Sequence, residues 1–402
     1  MNTNNFARNA IILGLLSAVG PFAIDMYLPA LPAIAADLNA STGATQMSLM
    51  SFFAAVAVCQ TIYGPASDIF GRKNPLYFGL ALYVLGAIGC SLAPSVEWLI
   101  AFRFVQGVGA CAGMTIPRAI VRDLHTGHAA TRLMSTIMLV FSVSPILAPL
   151  IGSTLISFIG WRAIFAVVGV IGLLAIGLVA LGLPETRTAE QRAGSSFGSV
   201  LRGYGMLLRD RHFLGVTMIG GLGMSSFFAF LATSSFVYID HFGLTPFLYG
   251  FAFSVNAIAF IGMAQATSWL GRRFGIARLI RTAITFFAGI GVLLLALTLA
   301  GVDSLPVLMT LLFVGFGALG LVIPSSMVLA LEEHGAIAGT AAALGGTLQL
   351  VAGAVVISLV SAFFDGTPLP MVIAIAACGL GAFTVAWLTL SRRDEAVAMP
   401  AE

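Results

Sequence analysis

Hydrophobic positions along this chain gather into long, nearly unbroken runs, parted by short polar stretches. A helix needs about 20 apolar residues to cross a bilayer. Runs of that scale predict helices over 9–31, 44–66, 76–94, 98–117, 133–158, 162–183, 213–237, 247–269, 277–300, 306–329, 337–364 and 369–391. The seventh is rich in Gly, Ser and Phe, and the eleventh in Gly and Ala. Small residues of this kind suit close helix packing in lipid. The pattern predicts an all-α polytopic membrane protein with 12 transmembrane helices.

The polar stretches test that count. With the N-terminus inside, the cytoplasmic loops and tails receive 17 of the 19 Lys and Arg residues. Arg162 is left outside and Arg103 lies within a helix. Such a bias orients membrane proteins, so both termini are expected in the cytoplasm. One connection, 184–211, is longer and more polar than the rest. A connection of that length marks a boundary. It divides the chain into an N-terminal six-helix half (1–183), a cytoplasmic linker (184–211), and a C-terminal half with a short tail (212–402). Two readings are open for the basic stretch Arg202–Arg211: a helix on the inner membrane surface, drawn to anionic lipid, or a disordered linker. The halves echo each other. Gly71-Arg72-Lys73 follows the second helix, and Gly271-Arg272-Arg273 follows the eighth. Parallel six-helix repeats are a transporter layout.

Composition then excludes classes. The chain is 59% hydrophobic and 9% charged, with a mean hydropathy of +1.03. Soluble domains carry about 25% charged residues, so a soluble enzyme is excluded. The net charge of +3 is spread over short loops and offers no nucleic-acid surface. Cys59, Cys90, Cys111 and Cys378 all lie in apolar runs and are expected to pack, not to form disulfides. No Cys/His cluster suggests a metal, and no phosphate-binding loop suggests ATP. Gly315-Phe316-Gly317-Ala318-Leu319-Gly320 fits a dinucleotide pattern but sits in an apolar run with no preceding strand, which suits helix packing better. The first run lacks a cleavage site and is expected to stay as a helix.

Two charges within the runs stand out. Asp25 lies about 25 Å along its helix from Arg8, just before Pro29 and Pro32. Arg103 lies about 8 Å in from the interfacial Trp98, at comparable depth. Charges in hydrocarbon are costly and face partners or water paths. One reading is a fixed ion pair holding helices one and four. The other is a switchable pair: burial disfavours a carboxylate's charge and a nearby guanidinium favours it, so a change in hydration would load or release a proton. The second half has no acid well inside a helix.

Several motifs carry a family resemblance across nearly the whole chain. Gly64-Pro65-Ala66-Ser67-Asp68-Ile69-Phe70-Gly71-Arg72-Lys73 resembles the signature loop of the major facilitator superfamily, with Ile69 where the family usually has Arg. Leu99–Ala110, around Arg103, resembles the fourth-helix motif of proton-linked drug exporters. Asp25-Met26-Tyr27-Leu28-Pro29-Ala30-Leu31-Pro32 is similar to the first-helix motif of twelve-helix drug:proton antiporters. Pro184-Glu185-Thr186 and Phe236–Gly243 add to a resemblance to the Bcr/CflA branch, associated with export of bicyclomycin, chloramphenicol and florfenicol. The fifth helix departs from the antiporter form: its Gly-Pro pair is Ala148-Pro149, although Pro145 and Gly152 keep it bendable.

The resemblance implies two six-helix halves around a central cavity, alternating access, and exchange of a proton for a lipophilic or neutral drug. It implies a bacterial inner-membrane monomer driven by the proton gradient, with no cofactor. Proton coupling falls to Asp25 and Arg103. Gating falls to Gly64, Asp68, Gly71, Arg72 and Lys73, with Asp68 near a facing helix N-terminus; Arg118, Arg122 and Asp123 either join that network or are a solvated loop. An aromatic, weakly polar cavity wall is expected from Phe22, Tyr27, Phe53, Gln60, Phe141, Phe228, Tyr238, Asn256 and Gln349. Two other functions are open: a proton-coupled carrier of a natural metabolite in the same fold, and a membrane sensor that transports nothing. The cost of an intramembrane acid argues against the sensor.

Overall fold

A computed structural model of the chain describes residues 3–125, 127–188, 190, 192 and 197–390. No strand occurs among the described residues, and 12 of the helices there are long and apolar enough to cross a bilayer. The chain forms two compact units that part between Val200 and Leu201.

The first unit contains α1 (Thr3–Asp25), α2 (Leu31–Asp37), α3 (Thr42–Ile69), α4 (Lys73–Ser91), α5 (Val96–Leu124), α6 (Gly127–Phe158) and α7 (Arg162–Gly182). The first apolar run, expected as one helix over 9–31, is broken: α1 stops at Asp25, a 3₁₀ turn covers Leu28–Ala30, and α2 resumes at Leu31. Proline chemistry explains the break. Pro29 has no N–H to offer the carbonyl of Asp25, and Pro32 is tolerated in the first turn of the new helix. The start of α3 is fixed by Ser41, whose hydroxyl accepts from Ala44 N–H at 3.2 Å.

Helix α8 (Phe197–Leu207) crosses the boundary between the units. The basic stretch is therefore helical over most of its length. Gly203 of α8 lies against Thr340. The second unit continues with α9 (Arg211–Ser235), α10 (Pro246–Phe274), α11 (Ile276–Leu299), α12 (Leu305–Glu332), α13 (Ala338–Phe363) and α14 (Leu369–Thr389). Asp210 caps α9, accepting from the backbone N–H of His212 and Phe213. A π-helical turn, Phe236–His241, extends α9. Such turns are rare and often sit at functional sites.

The echo between the halves is looser than the sequence suggests. Gly71 makes the turn before α4 at φ +85°, with Arg72 at the N-cap and Lys73 in the first turn. In the second half Gly271, Arg272 and Arg273 lie inside the last turns of α10, and Gly275 makes the turn at φ +83°. The paired bases thus begin a helix in one unit and end one in the other. Only the second placement favours cations, which a helix C-terminus attracts.

Candidate functional site

The helix break builds the site around Asp25. At the end of α1 the backbone changes step: Met26 N–H donates to Phe22 O, four residues back, and Tyr27 N–H to Ile24 O, three back. Asp25 is thereby held at the helix terminus, 6% exposed. Ser144 of α6 donates its hydroxyl to Asp25 Oδ2 at 3.2 Å. The close approach of α6 depends on Gly152. A Cβ there would lie 2.2 Å from the carbonyl oxygen of Met26. The glycine of the fifth span therefore does more than allow bending: it makes room for the broken backbone.

Arg103 does not pair with Asp25. No ion pair joins them among the described residues, so neither the fixed nor the switchable pair that the sequence left open is closed in this conformation. Arg103 is fully buried and donates through Nη1 to Ala23 O at 3.2 Å and to Gln106 Oε1 at 2.7 Å. Its guanidinium carbon lies 4.3 Å from the ring centre of Phe52, 4.6 Å from Tyr27 and 5.9 Å from Phe165. Three ring faces and two acceptors meet the charge in place of an anion. Nε and Nη2 have no hydrogen-bond partner among the described residues. Comparable depth proved a poor guide to pairing, because the freed carbonyl of Ala23 competes for the guanidinium. Gln106 follows Arg103 by three residues and so shares its helix face; Ser144 left no signal in the sequence.

The signature loop forms a network within the first unit. Arg72 is buried and clamps Asp123 with two bonds, Nε to Oδ2 at 2.7 Å and Nη2 to Oδ1 at 3.1 Å. Its Nη1 meets Asp68 Oδ1 at 2.8 Å and Ser67 Oγ at 2.7 Å. Arg187, beyond α7, donates Nε to Asp68 O at 2.9 Å. Asp123 therefore belongs to the network. Arg118 and Arg122 form no ion pair among the described residues. Glu185 meets a helix N-terminus within this unit. Glu185 accepts the backbone N–H groups of Arg72 at 2.9 Å and Lys73 at 3.1 Å, at the start of α4. Partial burial pushes this carboxyl up, but the backbone donors of Arg72, Arg187, Lys73 and Thr186 outweigh it and hold it below its ordinary value. Lys73 contributes its backbone, its ammonium lying 5.7 Å from the Tyr77 ring centre. A Cβ on Gly64 would meet nothing within 4 Å, so space does not require glycine there.

The residues expected on a cavity wall divide. Tyr27, Phe53, Phe228, Tyr238 and Asn256 are all buried, while Gln60 and Gln349 are partly exposed. Tyr27 packs on Arg103 and hydrogen-bonds Ser48. Phe228 seats against Gly353, and Gln349 lies beside Gly220. Tyr238, in the π turn, stacks edgewise on Phe230 and Tyr249. Its hydroxyl and the side-chain amide of Asn256 are buried against each other and satisfy one another only poorly, with no other hydrogen-bond partner among the described residues. Such groups are expensive to leave unmade. Phe22 lines a groove between α1 and α7 with Ile11, Leu15 and Ala18, a stripe spaced four, three and four residues apart. The Phe141 side chain lies outside the described residues.

Comparisons with known proteins agree with this architecture. The family model described as Major Facilitator Superfamily matches residues 13–357. The chain is 38% identical over 368 residues to an uncharacterized MFS-type transporter, YdgK, of Bacillus subtilis, covering 90% of each chain. It is 34% identical to the bicyclomycin resistance protein homolog of Haemophilus influenzae, covering 92% of each. It is 28% identical to a chloramphenicol resistance protein of Pseudomonas aeruginosa, covering 89% of this chain and 87% of that one. In fold it matches a D-xylose-proton symporter at a TM-score of 0.74 and 17% identity, covering 98% of this chain and 99% of that one. The broken first helix, the Arg72 network and the match over most of its length together place the chain in the major facilitator superfamily of membrane transporters, in its Bcr/CflA branch.

Proposed function

We propose that the chain is a secondary active multidrug efflux transporter, exchanging a proton for a lipophilic or neutral drug of the phenicol or bicyclomycin kind by alternating access. The carrying observation is the carboxyl of Asp25. It is buried at a helix break, accepts one hydroxyl, and is bound by no cation among the described residues, Arg103 being engaged elsewhere. Nothing ties this acid permanently to its charged form. The names of the relatives support drugs as cargo. The chemistry of export needs only a change of access around the acid. Protonation from outside favours drug release and the return of the empty carrier, and deprotonation inside completes the exchange. The poorly satisfied polar atoms of Tyr238 and Asn256 suit a neutral molecule carrying both donors and acceptors. The protein works in the bacterial inner membrane, as a monomer, with both termini in the cytoplasm and the Arg72 network on that side.

The test is expression in an efflux-deficient bacterium, comparing wild type with Asp25→Asn across a drug panel at two external pH values. Wild type is expected to confer resistance that grows with the proton gradient, and the variant to lose it. Proton-dependent efflux that survives in the variant removes Asp25 from coupling. Absence of any drug phenotype in wild type redirects the search to a natural metabolite.

A further inference from the structure

An elongated groove of about 1000 Å³ runs between α1 and α7, within the first unit. Its walls are apolar: Ile11, Leu15, Leu174 and Leu181 line it and stay exposed by 61%, 47%, 64% and 93%. It extends along α1 from Arg8 to Phe22. That is about 21 Å of helix, somewhat more than the ~15 Å of hydrocarbon in one leaflet. The charge sits at one end only. Arg8 is exposed at the groove's mouth and forms no ion pair among the described residues.

We propose that this groove is a binding site for an anionic phospholipid, with an acyl chain between α1 and α7 and the headgroup held by Arg8. The apolar length accounts for the chain, and the cation at one end accounts for the negative head. A lipid of one leaflet meets both demands. A soluble anion would leave the groove empty, and an uncharged hydrophobe would leave Arg8 without a partner. The inference is independent of the cargo.

Native mass spectrometry of the full-length protein tests it. The protein is loaded with palmitoyl-oleoyl phosphatidylglycerol or with phosphatidylcholine of the same chains. Wild type is expected to retain the glycerol lipid about fivefold better, the effect of about 1 kcal/mol per basic residue near a membrane surface. Arg8→Gln is expected to erase most of that preference. Gly177→Trp fills the groove and is expected to lower retention of both lipids. A Cβ at Gly177 would meet nothing within 4 Å, so this variant should melt like wild type. Equal retention of the two lipids by wild type overturns the proposal. So does a preference that survives Arg8→Gln, or displacement of the lipid by glycerol phosphate alone.

Discussion

The guanidinium of Arg103 donates to the carbonyl oxygen of Ala23, two residues short of Asp25, at 3.2 Å. The arginine thus closes the end of a helix and leaves the neighbouring acid to Ser144. This arrangement predicts how the two charges respond to mutation. Arg103→Met strips Ala23 O and Gln106 Oε1 of their donor and should cost about 1–3 kcal/mol. Asp25→Asn should cost little. The double variant should be additive within about 0.5 kcal/mol, as for residues that do not interact. Thermal unfolding in detergent reads all four proteins. A coupling well above that value shows the pair to be closed in the state measured.

Two glycines make opposite predictions. Gly152→Ala places a methyl 2.2 Å from Met26 O, so backbone must move. Overpacking of this kind typically costs about 1–3 kcal/mol. Gly177→Ala enters open space in α7 and should stabilise by about 0.5–1 kcal/mol, the usual gain of alanine over glycine in a helix. Melting temperatures of the pair separate close backbone contact from helix propensity; equal shifts would refute the packing of α6 against the break.

What the sequence disclosed, and what it hid, divides along physical lines. The twelve spans were legible because bilayer thickness fixes helix length. The break after Asp25 was announced by Pro29 and Pro32. The partner of Arg103 was not legible, because depth along a helix constrains one coordinate and side-chain direction is set by packing. Glu185 was visible within Pro184-Glu185-Thr186 as a helix ending, yet its role at the start of α4 required the folded chain to bring residues 112 and 113 positions apart together. Gly271 misled because paired bases beside a glycine look alike whether they begin a helix or end one.

Asn256 and the Tyr238 hydroxyl are buried against each other and poorly satisfied among the described residues. Asn256→Leu removes the amide's penalty but takes from the Tyr238 hydroxyl its neighbour, so stability should change by less than about 1 kcal/mol. If the amide serves a neutral ligand, the same variant should lower efflux of drugs rich in hydrogen-bonding groups more than efflux of plain hydrophobes. Resistance profiles measured beside melting temperatures check both halves. A variant that melts like wild type and is equally active across the panel would show the amide to have no part in recognition.

Glu185 supplies a pH test of the signature-loop network. Its folded-state value is depressed: partial burial works against the charge, and the backbone donors of Arg72, Arg187, Lys73 and Thr186 outweigh it. A depressed carboxylate stabilises the fold fully above its ordinary value near 4.3, and that contribution fades as pH falls through the lower folded-state value. Glu185→Gln keeps the shape but offers the N-terminus of α4 no charge. About 1 kcal/mol, discounted for a side chain partly open to solvent, corresponds to a drop of roughly 2–4 °C in a unit of this size. The difference between wild type and variant should be full at pH 7 and at pH 5, then shrink as the solution becomes more acidic. Comparing the two proteins at each pH isolates Glu185. A difference that is constant down to strongly acidic pH would mean that Glu185 acts by packing against Gly71 and not by its charge.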